Sequence, residues 1–425
     1  MGSSRPDHQR VVITGLGVVS PLGLEVNTFW EALLAGRSGV ARIRSFDVSD
    51  FPTQIGAEVQ DFDPAPYIGR REARRMARCS QMAIVATLFA LEDAGLQGGF
   101  PDPERVGVHL GTAEGGFDMA MQGVVLMQQR GWRRVMPFML PETLPNMPAY
   151  HVSQFFGTLG HLGTCVAACA SGTQAIYEAS ELVRRGVVDI MITGGTEALI
   201  NEFAFAGFCA MRGMSTRNHE PERAVRPFDA ERDGFLMGEG AGILVLERLD
   251  HARARGARAY AEVLGGATSS DAHHFAQPDP EGRGASRAMR WAVANAGLTS
   301  DQIDYINAHG TGTPIGDVVE TKAIKQVFGE RAYGIPVSST KSMLAHGMGA
   351  AGAFEAIACV KTLETQTIHP TINHETPDPE CDLDYVPWEP RRARVRHTLS
   401  NSFGLGGQNA CLVLGLVHGA GDEAP

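Results

Sequence analysis

Cys169 stands in the run ACASG, between a small-residue, strand-like segment (HLGTCVAAC) and a helix-like one (SGTQAIYEASELVRRG). A thiol there faces a helix N-terminus, where unpaired N–H groups and the helix dipole favour a thiolate. Its small neighbours Ala167, Ala168, Ala170, Ser171 and Gly172 let backbone N–H groups approach a substrate carbonyl. The commoner fate of a free Cys is burial without chemistry, and Cys79, Cys165, Cys209, Cys359, Cys381 and Cys411 are read that way. His309 lies in NAHGTGTP and His346 in STKSMLAHGMGAAG. A glycine follows each and leaves room for a ligand, and loops at strand ends are where α/β folds place their sites. The plain alternative for each is a satisfied structural histidine. Lys341 reads either as a catalytic cation or as a buried partner of Asp317 or Glu355. The Gly-rich NSFGLGG (401–407) lacks the spacing of a dinucleotide loop, and no HxxxH or CxxC pattern suggests a metal. Arg70, Arg71, Arg74, Arg75 and Arg78 fall near one helix face. They read as a solvated face or as a docking patch for an acidic partner.

The elements that must position these residues alternate between strand and helix. Residues 10–20 and 105–110 read as buried strands, and 28–36 and 71–94 as helices. Residues 161–200 form a strand, tight turn, helix and strand. A second series follows: strand-like AYAEVLGGATSS, helical SRAMRWAVANAGL, strand IDYIN, helical DVVETKAIKQVFG, short strand GIPVSST, a long small-residue helix after Gly349, and SNSFGLGGQNACLVLGLV as a loop and a strand. Residues 112–160 carry no clear period. Two halves of similar order, 10–255 and 256–417, predict an internal duplication packed as one body, with a disordered tail at 418–425. The first half holds Cys169 and the second both histidines.

Composition narrows the function. The chain has 425 residues, 44% hydrophobic and 20% charged, enough for a sizeable core. The 37 Lys and Arg against 48 Asp and Glu give a net charge of −11, which disfavours nucleic acid as the main partner. Seven cysteines, an odd number spread along the chain, fit a reducing compartment better than a disulfide scaffold. No run of about 18 apolar residues exists to span a membrane. The expectation is a cytoplasmic enzyme.

Taken together, the segments resemble the β-ketoacyl-acyl-carrier-protein synthases of the thiolase superfamily, nearest the synthase II type. The resemblance runs along nearly the whole chain: VVITGLGVVSPLG (11–23), ACASG, RPFDAERDGFLMGEGAG (226–242), NAHGTGTPIGD (307–317), STKSMLAHGMGAAGAFE (339–355), PDPECDLDYVP (377–387) and SNSFGLGG (400–407). It implies a duplicated α-β-α-β-α layered fold and a dimer. It implies that Cys169 takes an acyl chain from a carrier protein, and that His309 and His346 stabilise the enolate of decarboxylated malonyl-carrier protein. Backbone N–H groups of Cys169 and Phe403 would form the oxyanion hole, with Phe403 gating the pocket. Thr311 and Thr313 would hold the pantetheine arm, and Lys341, Asp317 and Glu355 would support the site. Arg71, Arg74, Arg75 and Arg212 would dock the carrier. No cofactor is implied, because the substrates arrive on the carrier's phosphopantetheine arm.

Three positions depart from the family pattern. Glu114 stands where synthase II enzymes carry an apolar residue of the acyl pocket. Met139 falls where that pocket closes across the dimer interface, and Gln408 replaces a usual Thr. These departures point to a specialised polyketide or polyene pathway, in a homodimer or paired with a chain-length-factor-like homologue. Fatty-acid elongation is the alternative. A non-catalytic pairing subunit would lack the Cys, and a Cys hydrolase needs one His with an orienting Asn or Asp, so both fit poorly.

Overall fold

The structure, a computed structural model, describes residues 5–417; the tail expected at 418–425 lies outside the described residues. Ten strands form the main sheet. They are β1 (Val11–Val19), β2 (Val106–Gly111), β3 (Leu162–Cys165), β4 (Ile190–Glu197) and β5 (Gly240–Arg248) in the first half. In the second they are β6 (Ala261–Ser270), β7 (Tyr305–Asn307), β8 (Val337–Ser338), β9 (His397–Gly404) and β10 (Gln408–Gly415). Their order across the sheet is β8-β7-β9-β10-β6-β1-β5-β4-β2-β3.

That order contains the duplication. Counted from its own edge, each half runs third strand, second, fourth, fifth, first. In both halves the two outer pairings are parallel and the two inner ones antiparallel. Within the sheet the halves join through Val12 opposite Glu262 and Ile13 opposite Ala261, a two-residue ladder between β1 and β6. The pattern of pairing repeats although the letters do not.

The longest helices among the described residues are α1 (Arg78–Asp93), α2 (Phe117–Arg130), α3 (Ser171–Arg184), α4 (Arg283–Asn295), α5 (Gly316–Phe328) and α6 (Ala351–Thr365). α1 covers the outside of the first half and α4 that of the second. α3 and α6 lie between the halves and touch strands of both. The sequence of α6 dictates this place. Every residue from Ala351 to Leu363 is buried, and a helix with no polar face has to be central. The result is the layered α-β-α-β-α fold.

The two central helices cross at glycines. A Cβ on Gly352 would lie 2.1 Å from Thr173 Oγ1 and 2.5 Å from Thr173 N. A Cβ on Gly172 would lie 2.9 Å from the Gly349 carbonyl oxygen. Neither Gly172 nor Gly352 has room for a side chain, and this close approach lets both helix N-termini reach the middle of the molecule.

Some expectations are corrected. The helix read over 71–94 is broken into Arg70–Ala73 and α1, because Ala77 is extended (φ −59°, ψ 149°) and buried. Residues 400–404, read as a loop, are strand, paired along their length with β10. The unassigned 112–160 holds α2 and a helix at Met147–Phe156. The variant Gly352→Ala is expected to destabilise the fold by about 1–3 kcal/mol, because overpacking forces the backbone apart. Urea unfolding measures this, and an unshifted midpoint would mean that the crossing is not tight.

Candidate active site

Cys169 sits in a single 3₁₀ turn, Ala168–Ala170, at the entrance to α3. The turn is opened by Ala168 at φ 48°, a left-handed conformation that Ala adopts at a cost. Ser171 holds it in place. Its hydroxyl accepts the Ala167 N–H (2.9 Å) and faces the Ala168 and Thr112 carbonyls at 2.7 and 3.1 Å. The thiol is buried among Met348, Leu199, Ile200 and Phe205, an apolar cluster suited to hydrocarbon. Burial pushes it up to about 11, against a backbone hydrogen bond from Leu405 and the charge of Lys341. The resting group is therefore a thiol, not the thiolate that the helix terminus suggested. Desolvation outweighs the dipole.

The structure brings His309 and His346 together, although 36 residues separate them in the chain. Their rings are edge to face with centroids 5.4 Å apart, and the Phe403 ring lies tilted against His309 at 5.6 Å. Both rings, Cys169 and Phe403 line one cavity of about 470 Å³. Burial first, and Lys341 second, push both imidazoles well below their usual range, so both are neutral. The Nδ1 atom of each is buried without a hydrogen-bond partner.

Lys341 resolves to one of its alternatives. It is 1% exposed and pairs with Glu355, not with Asp317. Glu355 also accepts the Ser402 hydroxyl at 3.2 Å, and Ser402 meets Thr173 Oγ1 at 2.7 Å. This chain ties the Lys341 segment, the strand of Phe403 and the helix of Cys169 to one another. Asp317 serves another loop. It accepts the N–H of Phe228 (2.7 Å) and of Gly312 (3.2 Å) and lies 3.9 Å from Arg232. Burial raises it to about 6. Between those anchors Thr311 and Thr313 line the cavity, their hydroxyls 3.1 Å apart.

Three buried groups escaped the sequence reading. Glu320 takes the N–H of His309 (2.9 Å) and Gly310 (2.8 Å) and Nδ2 of Asn401 (3.1 Å). It follows Asp317 by three residues on α5, and this shared helix face was the available signal. Arg232 donates to the carbonyls of Thr313 and Pro314 at 3.1 and 2.9 Å, fixing the threonine loop from its other side. Glu197 caps β4, and nothing in the sequence around it marks it out.

Other expected positions fall outside the cavity. Glu114 is exposed in the single chain, and only its backbone N–H turns inward, to Glu197 at 3.3 Å. Desolvation raises its carboxyl. Met139 is buried against Gly123 of α2 and lines a separate groove of about 820 Å³ that runs along α2. Gln408 is exposed at the start of β10. Arg71, Arg74 and Arg75 are exposed on and just after the short helix Arg70–Ala73, whereas Arg212 lines the mouth of the Cys169 cavity. Arg78 leaves the patch. It is half-buried and pairs with Glu239 at 2.7 Å.

A buried thiol, two neutral imidazoles and an apolar wall within one cavity can exchange thioesters and stabilise an enolate. Comparison with known proteins places the chain in a family. Residues 8–252 match the β-ketoacyl synthase N-terminal domain and residues 260–375 its C-terminal domain. The chain belongs to the β-ketoacyl synthase family. It is 46% identical over 406 residues to the 3-oxoacyl-[acyl-carrier-protein] synthase 2 of Synechocystis sp., covering 96% of this chain and 98% of the relative. Identity to the same-named protein of Staphylococcus aureus is 47% over 406 residues, with the same coverage. Among solved structures it resembles the ishigamide ketosynthase/chain length factor (TM-score 0.89, 38% identity, 96% of this chain and 99% of the other). It also resembles a type II PKS ketosynthase, bound to a hexaketide, in complex with its acyl-carrier protein (TM-score 0.86, 33% identity, 96% and 99%). The protein is an enzyme of decarboxylative acyl condensation. No helix among the described residues is long and apolar enough to cross a membrane.

Because burial holds both imidazoles well below their usual range, neither ring is expected to take up a proton as pH falls from about 8 to 6. NMR of the His309 and His346 ring signals measures it. A titration of either ring centred near 6.5 would mean that it carries a proton at rest.

Proposed function

We propose that Cys169, His309 and His346 divide the reaction between acyl transfer and decarboxylation. The observation that carries this reading is the shared cavity in which an apolar-walled thiol faces two desolvated imidazoles. The carrier's thioester carbonyl is attacked by the Cys169 sulfur, the thiol proton passes to the departing pantetheine sulfur, and the acyl chain stays on Cys169. Exchange of one thioester for another is nearly isoenergetic, which suits Cys over Ser. The N–H groups of Cys169 and Phe403 take the tetrahedral oxyanion. A Cβ on Gly404 would come within 3.3 Å of the Cys169 nitrogen, so the glycine keeps this N–H open. Malonyl-carrier protein then enters along Thr311 and Thr313. It loses CO₂, and its enolate oxygen is held by His309 and His346. The enolate carbon attacks the acyl-Cys169 carbonyl and expels the thiolate. Neutral imidazoles donate to the enolate while leaving the malonyl carboxylate unpaired, which favours departure of CO₂. Lys341 and Glu355 hold the rings' surroundings, and no cofactor enters the scheme.

The acidic carrier protein docks on Arg71, Arg74, Arg75 and Arg212. A second subunit of the same fold, identical or chain-length-factor-like, covers the free edge at β3. Leu162 and Val166 are 49% and 52% exposed there, an unpaired edge with apolar side chains. That subunit also closes the α2 groove beside Met139 and turns Glu114 into part of an enclosed chain site. A carboxyl in such a site disfavours plain saturated chains, so the favoured pathway is specialised polyketide or polyene assembly. Fatty-acid elongation is the second reading, favoured by the 46% identity to a synthase 2 over 96% of the chain.

Intact-mass spectrometry tests the scheme. Cys169→Ala is expected to abolish acyl loading, and acylation of that variant at another residue would refute the nucleophile. His309→Ala and His346→Ala are expected to slow malonyl decarboxylation more than loading; equal losses would undo the division of roles. Glu114→Ile is expected to shift loading toward saturated chains. An unchanged profile, with saturated chains already preferred, would decide for fatty-acid elongation.

A further inference from the structure

The duplication gives the molecule two equivalent helix entrances. Cys169 is the middle residue of the turn Ala168–Ala170 before α3, and Gly349 the middle residue of the turn Met348–Ala350 before α6. Each turn is opened by a residue at positive φ, Ala168 at 48° and Met348 at 49°. Each faces the last residue of a strand from the opposite half. β9 ends at Gly404, which offers no side chain to the Cys169 N–H. β4 ends at Glu197, whose Oε2 accepts the Gly349 N–H at 3.2 Å. At the first entrance the facing residue has no side chain, and at the second the protein's own carboxylate accepts the turn's N–H.

Glu197 does more than accept that N–H. The carboxylate also accepts the N–H of Ala113, the N–H of Glu114 at 3.3 Å and the Thr112 hydroxyl at 3.2 Å. It is 0% exposed, and no basic side chain among the described residues makes an ion pair with it. Four donors from two segments of chain thus converge on one buried anion. The segments are the 112–114 loop of the first half and the 348–350 turn of the second. Ala113 and Met348 both pack into the apolar cluster around Cys169.

We propose that Glu197 is a positioning residue for acyl transfer. Its carboxylate occupies the second helix entrance and joins the 112–114 loop to the 348–350 turn, so that Ala113 and Met348 form one wall beside Cys169. The proposal rests on Cys169 as the acyl acceptor. It makes a chemical demand: without the carboxylate, the donors form a vacant site for a small carboxylate ion.

The test is the rate of acyl loading onto Cys169 in the full chain, read by intact mass, in acetate and in chloride at equal ionic strength. Glu197→Ala removes a CH₂–COO⁻ unit, close to acetate in size. Loading is expected to slow roughly tenfold or more, the usual effect of losing hydrogen bonds to a charged group. Acetate, but not chloride, is expected to restore most of it, and the wild type to respond to neither. A variant that loads at the wild-type rate overturns the proposal, as does one slowed equally in both salts. Should Glu197→Ala not fold, Glu197→Gln keeps the volume but sets amide N–H groups against backbone donors. It is expected to load slowly and to ignore acetate, and loading at the wild-type rate would overturn the proposal. A wild type that never acylates Cys169 would instead refute the underlying reading of the nucleophile.

Discussion

The close crossing of α3 and α6 is the constraint on which the rest of the molecule depends. Gly172 and Gly352, having no side chains of their own, let the two helices approach closely. That contact sets where both helix N-termini end. One presents Cys169 and the other the turn just after His346. The layered sheets on either side hold the crossing rigid, and the loops at their ends bring in His309 and Phe403. The groups that line the cavity come from four separate stretches of chain, and the shared helix crossing is what makes them neighbours.

Around this centre the buried charges act mainly as fasteners. Glu355 with Lys341, Glu320 with the His309 loop, Asp317 and Arg232 with the threonine loop, and Glu197 with the 112–114 loop each satisfy backbone N–H or C=O groups or a polar side chain in loops sealed from water. A loop in the interior needs such partners, since an unpaired backbone donor there is costly. Burial raises Glu197 and Glu320 to about 7, the direction expected when a carboxylate is taken out of water. The reactive groups are treated in the opposite way. The thiol and both imidazoles are desolvated and left with few fixed partners, so they rest neutral.

Legibility in the sequence followed physical range. Strand and helix order could be read because burial imposes local periods, and Cys169 could be read because its small neighbours and following helix are contiguous with it. The break at Ala77, the extension of β9 through Gly404 and the burial of Arg78 could not. Each depends on what packs against the segment: the buried setting of Ala77, the β10 partner strand and Glu239, all distant in the chain. Glu114 shows the same limit from the other side. Its departure from the family's apolar pattern marked it as unusual, but its exposure depends on which surfaces surround it.

By itself the sequence pointed to the family and the layered, duplicated architecture, and it singled out Cys169, His309 and His346 as the candidate thiol and imidazoles. These rest on contiguous motifs, whose local chemistry survives without knowledge of the fold. Only the tertiary structure decided that the resting Cys169 is a thiol, that Lys341 belongs to Glu355, that Asp317 serves a different loop, and that Glu197 fills the second helix entrance. Desolvation and pairing in the interior are set by groups far apart in the chain. No local pattern of residues encodes how much water is removed or which donors converge.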